Sequence, residues 1–244
     1  MDAHTPSTHM PGYSKARLKR IIAAGNVAAM AIALWSIFLS TWLYAPILSI
    51  SVLLPLCALA LDIRTRGALG FEARRGRRYP LSLATIVVCP ALALGMRAIL
   101  DLNFASYPPL ILAAVLTAIA TFLLSWRFDP QLRGDRNQSA TIAIFALPYC
   151  FGVLAFADVV LDPSSGHETQ TVIRDRRIHV SGGVKGSSVW HQLKVDPDAS
   201  PAGADWISVQ PDLLASYHRG DTVCVHLGPG LLGVRWYAVV HCVD

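Results

Sequence analysis

Apolar residues run in five long blocks, at 21–39, 43–61, 80–100, 109–125 and 140–161 of this 244-residue chain, and charged or turn-forming residues separate them. Each block approaches the ~20 apolar residues that carry an α-helix across ~30 Å of hydrocarbon. The pattern therefore predicts an α-helical polytopic bundle of five spans. After position 162 the pattern changes to short β-type runs punctuated by turn signals. Strands are expected over 169–180 and 187–195, joined through Gly182 and Gly183, and over 206–209, with a helical turn at 211–217. The last two strands, 222–227 and 234–243, flank the glycine-rich loop 228–233. Five strands with a short helix after the third is the order of a small closed barrel of oligonucleotide-binding or SH3-like type. The expected organisation is a tail over 1–20, a membrane part over 21–162 and an all-β extracytoplasmic domain over 163–244.

Charge orients this layout. The tail holds Lys15, Arg17, Lys19 and Arg20; the connection after the second block holds Arg64, Arg66, Arg74, Arg75, Arg77 and Arg78; Arg127, Arg133 and Arg136 follow the fourth. The turn at 40–42 and the connection at 101–108 hold no Lys or Arg, an asymmetry of 13 to 0. Basic loops stay on the cytoplasmic side. The N-terminus is thus expected in the cytoplasm, and an odd number of spans carries everything after Asp162 to the opposite side. The first block, with no small-x-small cleavage site, reads as a retained anchor. Trp42, Tyr44 and Tyr107 fall at the expected outer interface, and Tyr79 and Trp126 at the inner one. Arginine outnumbers lysine 17 to 4, and alanine and leucine dominate the spans, which suggests a bacterial inner-membrane protein from a G+C-rich genome.

The net charge of +5 does not point to nucleic acid. Residues 1–162 hold 14 bases and 8 acids, whereas residues 163–244 hold 7 bases and 8 acids. The basic excess belongs to the membrane half, where it sets topology and meets anionic head groups. The partners expected are the lipid bilayer and an envelope protein or envelope component.

Chemistry within the spans is sparse. Arg97 and Asp158 lie at similar depth near the outer ends of the third and fifth spans, where they either pair between helices or reach separately to the head groups. Pro55, Pro90 and Pro148 each remove one backbone hydrogen bond. Close helix contact is expected at Gly25, Ala29 and Ala33, and at Ala113, Thr117 and Thr121. No internal repeat or pair of matching broken segments suggests a carrier.

Cys57, Cys89 and Cys150 fall inside spans, while Cys224 and Cys242 fall in the two final strands. If that hairpin is centred on Gly233, positions 224 and 242 face one another at a Cα separation of roughly 4.5–5.5 Å, suited to a disulfide. Small extracytoplasmic domains commonly carry such a staple. The competing reading uses Cys224, His226 and Cys242 as three ligands of a zinc or copper ion. It lacks an identifiable fourth ligand and any C-x-x-C spacing, so no cofactor is expected. Trp190, Trp206 and Trp236 lie on β-type runs and are expected to fill the core. Arg219-Gly220-Asp221 reads as a turn, and Gly228-Pro229-Gly230 lacks the lysine and helix of a phosphate-binding loop. With no catalytic arrangement to name, the expectation is a non-enzymatic membrane protein whose helices anchor an outward-facing binding domain; the alternative is a metal-binding or transport-related protein whose outer domain captures a ligand.

Overall fold

The computed structural model describes residues 15–38, 44–64, 83–128, 130–134, 136–164, 166–183, 186–196, 206–240 and 242. Arg66, the arginines from 74 to 78, Trp42 and Tyr79 lie outside them. The chain divides into two compact units. One comprises 1–97 and 114–153, and the other 98–113 and 154–244.

The first unit is helical. Its long helices are α1 (Lys15–Phe38), α2 (Tyr44–Arg64), α3 (Ala84–Asp101), α4 (Pro108–Phe128) and α6 (Arg136–Val160), with the single-turn α5 (Pro130–Gly134) before the last; α3 and α6 end, and α4 begins, in the other unit. Among the described residues three stretches are long and apolar enough to cross a membrane: Ala84–Asp101, Pro108–Phe128 and Ser139–Val160. Shorter apolar stretches occupy α1 and α2, at Arg20–Ser36 and Pro46–Leu61. The apolar surface of all these helices suits contact with lipid.

Small residues bring the helices together. Ala29 and Ala33 of α1 are buried, and a Cβ on Gly25 would lie 2.9 Å from Ile86 Cδ1. On α4 the buried positions include Ala114 and Ala118, one residue on from the expected Ala113 and Thr117, and Ser125, one turn on from the expected Thr121. The tightest seam was not among the expected ones: a Cβ on Gly152 of α6 would lie 2.7 Å from the Leu94 backbone carbon, and one on Gly95 would lie 3.0 Å from Pro148 O. Pro55 has no N–H to bond the preceding turn of α2. There the Tyr149 hydroxyl donates to the Val52 carbonyl at 2.7 Å.

The second unit holds two open sheets. In order β1-β7-β6-β2, the first joins β1 (Asn103–Phe104), β2 (His167–Val172), β6 (Thr222–Gly228) and β7 (Trp236–Val240), all antiparallel. The second joins β3 (Asp175–Gly183), β4 (Gly186–Lys194) and β5 (Trp206–Ser208) in the order β3-β4-β5. The helical turn α7 is Pro211–Ser216.

The expected closed barrel is corrected here to two open sheets, and the cause is local. The single strand read over 169–180 breaks at Ile173 and Arg174. Ile173 N donates to Asp221 O at 3.0 Å, beside β6, and Arg174 N donates to Lys194 O at 2.8 Å, beside β4. Two consecutive residues thus bond to different sheets. One core serves both: Val223, Val225 and Val239 from the first sheet pack with Leu193 and Ile207 from the second, together with Ile173 and with Leu214 of α7. The three tryptophans lie outside that cluster, contrary to expectation. Trp190 is 44% exposed, and Trp206 and Trp236 are half-buried. β-Branched and leucine side chains fill the interior instead.

Candidate functional site

Cys224 and Cys242 form a disulfide with Cα atoms 5.0 Å apart. The register differs from the one that suggested it: Cys224 stands opposite Val240, and Gly228 opposite Trp236. Since β7 ends at Val240, Cys242 lies past the ladder and reaches Cys224 diagonally. Sulfurs joined to each other offer no thiolates to a cation, so this bond and a metal set of Cys224, His226 and Cys242 exclude one another. His226 is occupied differently, its ring centroid 5.3 Å from that of Trp236. Among the described residues no group of three potential ligands comes together.

Arg97 and Asp158 belong to different units. Arg97 Nε donates to the Ser36 carbonyl at the end of α1. Asp158, fully buried, serves the glycine-rich loop. Leu232 N donates to its Oδ1 at 2.5 Å, and Leu231 N to its backbone carbonyl at 2.9 Å. One helical turn later Asp162 continues the pattern, accepting at Oδ2 from Gly230 N at 2.9 Å and Trp236 Nε1 at 3.0 Å. Its Oδ1 accepts from Ser164 N at 2.9 Å. The Ser164 bonds above all, with those of Trp236 and Gly230, lower the Asp162 carboxyl to about 2. Donors aimed at the charged form favour it.

This carboxylate pair fixes the loop's shape. Gly230 has φ +75°, and a Cβ there would lie 2.5 Å from Asp158 Oδ2. The segment that resembled a phosphate cradle thus turns its amides onto the protein's own carboxylates. The Arg-Gly-Asp sequence is a turn, as read: His218 N donates to Asp221 Oδ2 at 2.7 Å, and Gly220 has φ +95°.

The region best suited to bind something else lies on the three-stranded sheet. Arg176, Arg177, Ile178 and His191 line a recess of about 400 Å³ with Pro211, Leu214 and Ala215 of α7. Pockets that hold ligands commonly span ~300–1,000 Å³. Pairing fixes who shares a face, because successive residues of a strand alternate sides. Arg176 stands opposite Leu193 and Ile178 opposite His191, on the side that carries the core; Arg177 stands opposite Gln192, and Asp175 opposite Lys194, on the other. Arg176 Nη1 donates to the Tyr217 carbonyl at 2.9 Å, which holds the guanidinium at the rim.

On the far side Arg177 lies over the Trp206 ring, 4.0 Å from its centroid, with Nε donating to Gln192 Oε1 at 2.9 Å. Lys194 Nζ stands 6.0 Å from the same ring. A cation over an aromatic face is held electrostatically, so both sides of this strand pair present positioned positive charge. Arg174 bonds Asp196 at 2.8 Å, which raises its guanidinium above the ordinary value. Farther along the hairpin Ile178, Val180 and Val189 stay exposed on the core-bearing side. Sequence reading missed this site, although Arg174, Arg176 and Arg177 amid β-type residues were its visible trace. No protein-family profile matches the chain, and no curated protein or solved structure matches it significantly.

Proposed function

We propose that this chain is a five-span bacterial inner-membrane protein with a cytoplasmic N-terminus, whose helices anchor a two-sheet domain outside the cytoplasm, and that this domain binds an envelope protein or envelope component without catalysing a reaction. The carrying observation is the Cys224–Cys242 disulfide in a chain that also holds three membrane-length apolar helices. Disulfides persist in oxidising compartments, and the 13-to-0 arginine and lysine asymmetry directs the same end of the chain outward. In this reading α1 and α2 complete the five spans, with their apolar stretches extended into the interfaces. The recess beside β3 and the exposed apolar residues of the β3–β4 hairpin supply the binding surface.

Fusions after Asp244 test the arrangement. A reporter enzyme that matures only outside the cytoplasm is expected to be active there, and a fluorescent protein that matures only inside to stay dark. The reverse pattern rejects the reading.

A further inference from the structure

We infer that the unpaired edge of β3 accepts an extended acidic and apolar segment of a partner protein as an added strand, with one partner side chain entering the recess beside α7. This rests on the reading of the domain as a partner-binding module.

β3 is nine residues long and stands at the end of its sheet, paired with β4 on one side alone among the described strands. At about 3.3 Å per residue that leaves an edge of roughly 30 Å. Edges of this kind are templates for another chain, and proteins usually shorten, twist or cover them. This one is long, and Ile178 and Val180 on it are 58% and 57% exposed. Strand addition satisfies such an edge through main-chain hydrogen bonds and gains specificity from alternate side chains.

Charge selects the partner. Arg174, Arg176 and Arg177 flank a single acid, Asp175, at the start of the strand. A second copy paired antiparallel along the whole of β3 would set Arg176 and Arg177 beside its Gly182 and Ser181, which leave the positive charge unanswered, and lipid head groups would meet the arginines but leave the strand's backbone groups unpaired. An acidic, extended peptide answers both. Side-chain alternation gives the order: an Asp or Glu of the partner beside Arg176 and His191 at the recess, then apolar residues beside Ile178 and Val180.

The test uses the full chain in nanodiscs of zwitterionic lipid, selected against a phage library of random twelve-residue peptides. Enriched peptides are expected to carry Asp or Glu followed by β-branched or aromatic residues two and four positions away. By fluorescence anisotropy, the double variant R176E/R177E should bind them about ten-fold more weakly, a change of about 1.4 kcal/mol, while R176K/R177K stays within about three-fold. Independently of any charge change, photoactivatable benzoylphenylalanine at position 178 should crosslink the peptide, and the same group at position 172, on β2 of the other sheet, should not.

No enrichment, enrichment of basic peptides, or equal binding by R176E/R177E overturns the inference. So does crosslinking at 178 to a second copy, or to phosphatidylglycerol added to the disc in place of peptide. Peptide captured at 172 and not at 178 removes the β3 edge while leaving a partner-binding domain, and wrong sidedness of the Asp244 fusions removes that earlier reading without touching the peptide result.

Discussion

The two units treat their large apolar residues differently: the helical unit turns many of them outward, and the β unit gathers its own into a core. In the helical unit small residues, Ala29, Ala58, Ala91 and Ala118 among them, share the interior with Ile22, Leu94 and Leu132, while Leu116, Leu123 and Leu124 of α4 and Ile144 of α6 point outward. In the β unit Leu193, Ile207 and Val223 are fully or almost fully buried, and arginines and histidines lie outside. Water rewards burying leucine, by ~1.5–3 kcal/mol for a whole side chain. Lipid offers no such reward, so helices meet where their backbones approach most closely. The contrast teaches that the surroundings, rather than the residue, decide which substitution does damage.

The sharpest way to break this comparison is one substitution made twice. Leu193→Ala in the β unit is expected to cost about 2–5 kcal/mol, the range for a leucine removed from a packed core. Leu124→Ala, on an outward helix face, should stay within about 0.5 kcal/mol. Denaturant unfolding followed by tryptophan fluorescence measures the first, and thermal unfolding in detergent the second; equal losses would end the distinction.

Next in size is the staple. Converting Cys224 and Cys242 to serine should destabilise the β unit by about 2–4 kcal/mol, since the bond restricts the unfolded chain. Reduction of the wild type should reproduce the loss, read in the same denaturant titration.

The helical unit gives the inverse test. Gly152→Ala adds a methyl 2.7 Å from the Leu94 backbone carbon, where neither helix can yield cheaply. A cost of about 1–3 kcal/mol is expected, as for other overpacked sites. Melting of the detergent-solubilised protein reports it, and an unchanged midpoint would mean that α3 and α6 do not pack at this seam.

Much of this layout was legible in the sequence, and what was not has identifiable causes. Apolar runs near 20 residues announce helices because the hydrocarbon fixes their length. Which small residues form the seams was not legible: Gly95 and Gly152 look like many other small residues, and only the helix rotation in the bundle selects them. The two cysteines were paired correctly through a register that was not correct, since the hairpin is centred on Leu232 rather than Gly233 and Cys224 faces Val240. The break at Ile173 and Arg174 was hidden because both residues fit a strand, and only the tertiary partners Asp221 and Lys194 pull them apart. The clamp of Asp158 and Asp162 on the glycine-rich loop joins residues 74 apart in one case, beyond the reach of local pattern. The recess needs β3, β4 and α7 to exist, so its arginines showed only as scattered charge.

The smallest expected effect belongs to that clamp. Asp162 has its carboxyl lowered from 3.8 to about 2 by its hydrogen bonds. A depressed folded-state value stabilises above the unfolded-state value and is lost as pH falls through the folded one. Exchange of the Gly230 amide should therefore accelerate as pH drops from about 4 to about 2, relative to an unstructured peptide, and Asp162→Asn should flatten that dependence. A pH profile identical in wild type and Asp162→Asn would place the loop's anchor elsewhere.

In the proposed arrangement the β unit folds in an oxidising compartment while the helices sit in lipid. The most direct measurement is thiol alkylation in intact cells followed by intact mass spectrometry without reductant. Cys224 and Cys242 are predicted to gain no label until a reductant is added, with Cys57, Cys89 and Cys150 remaining thiols throughout. Labelling of Cys224 and Cys242 in untreated cells would contradict the account.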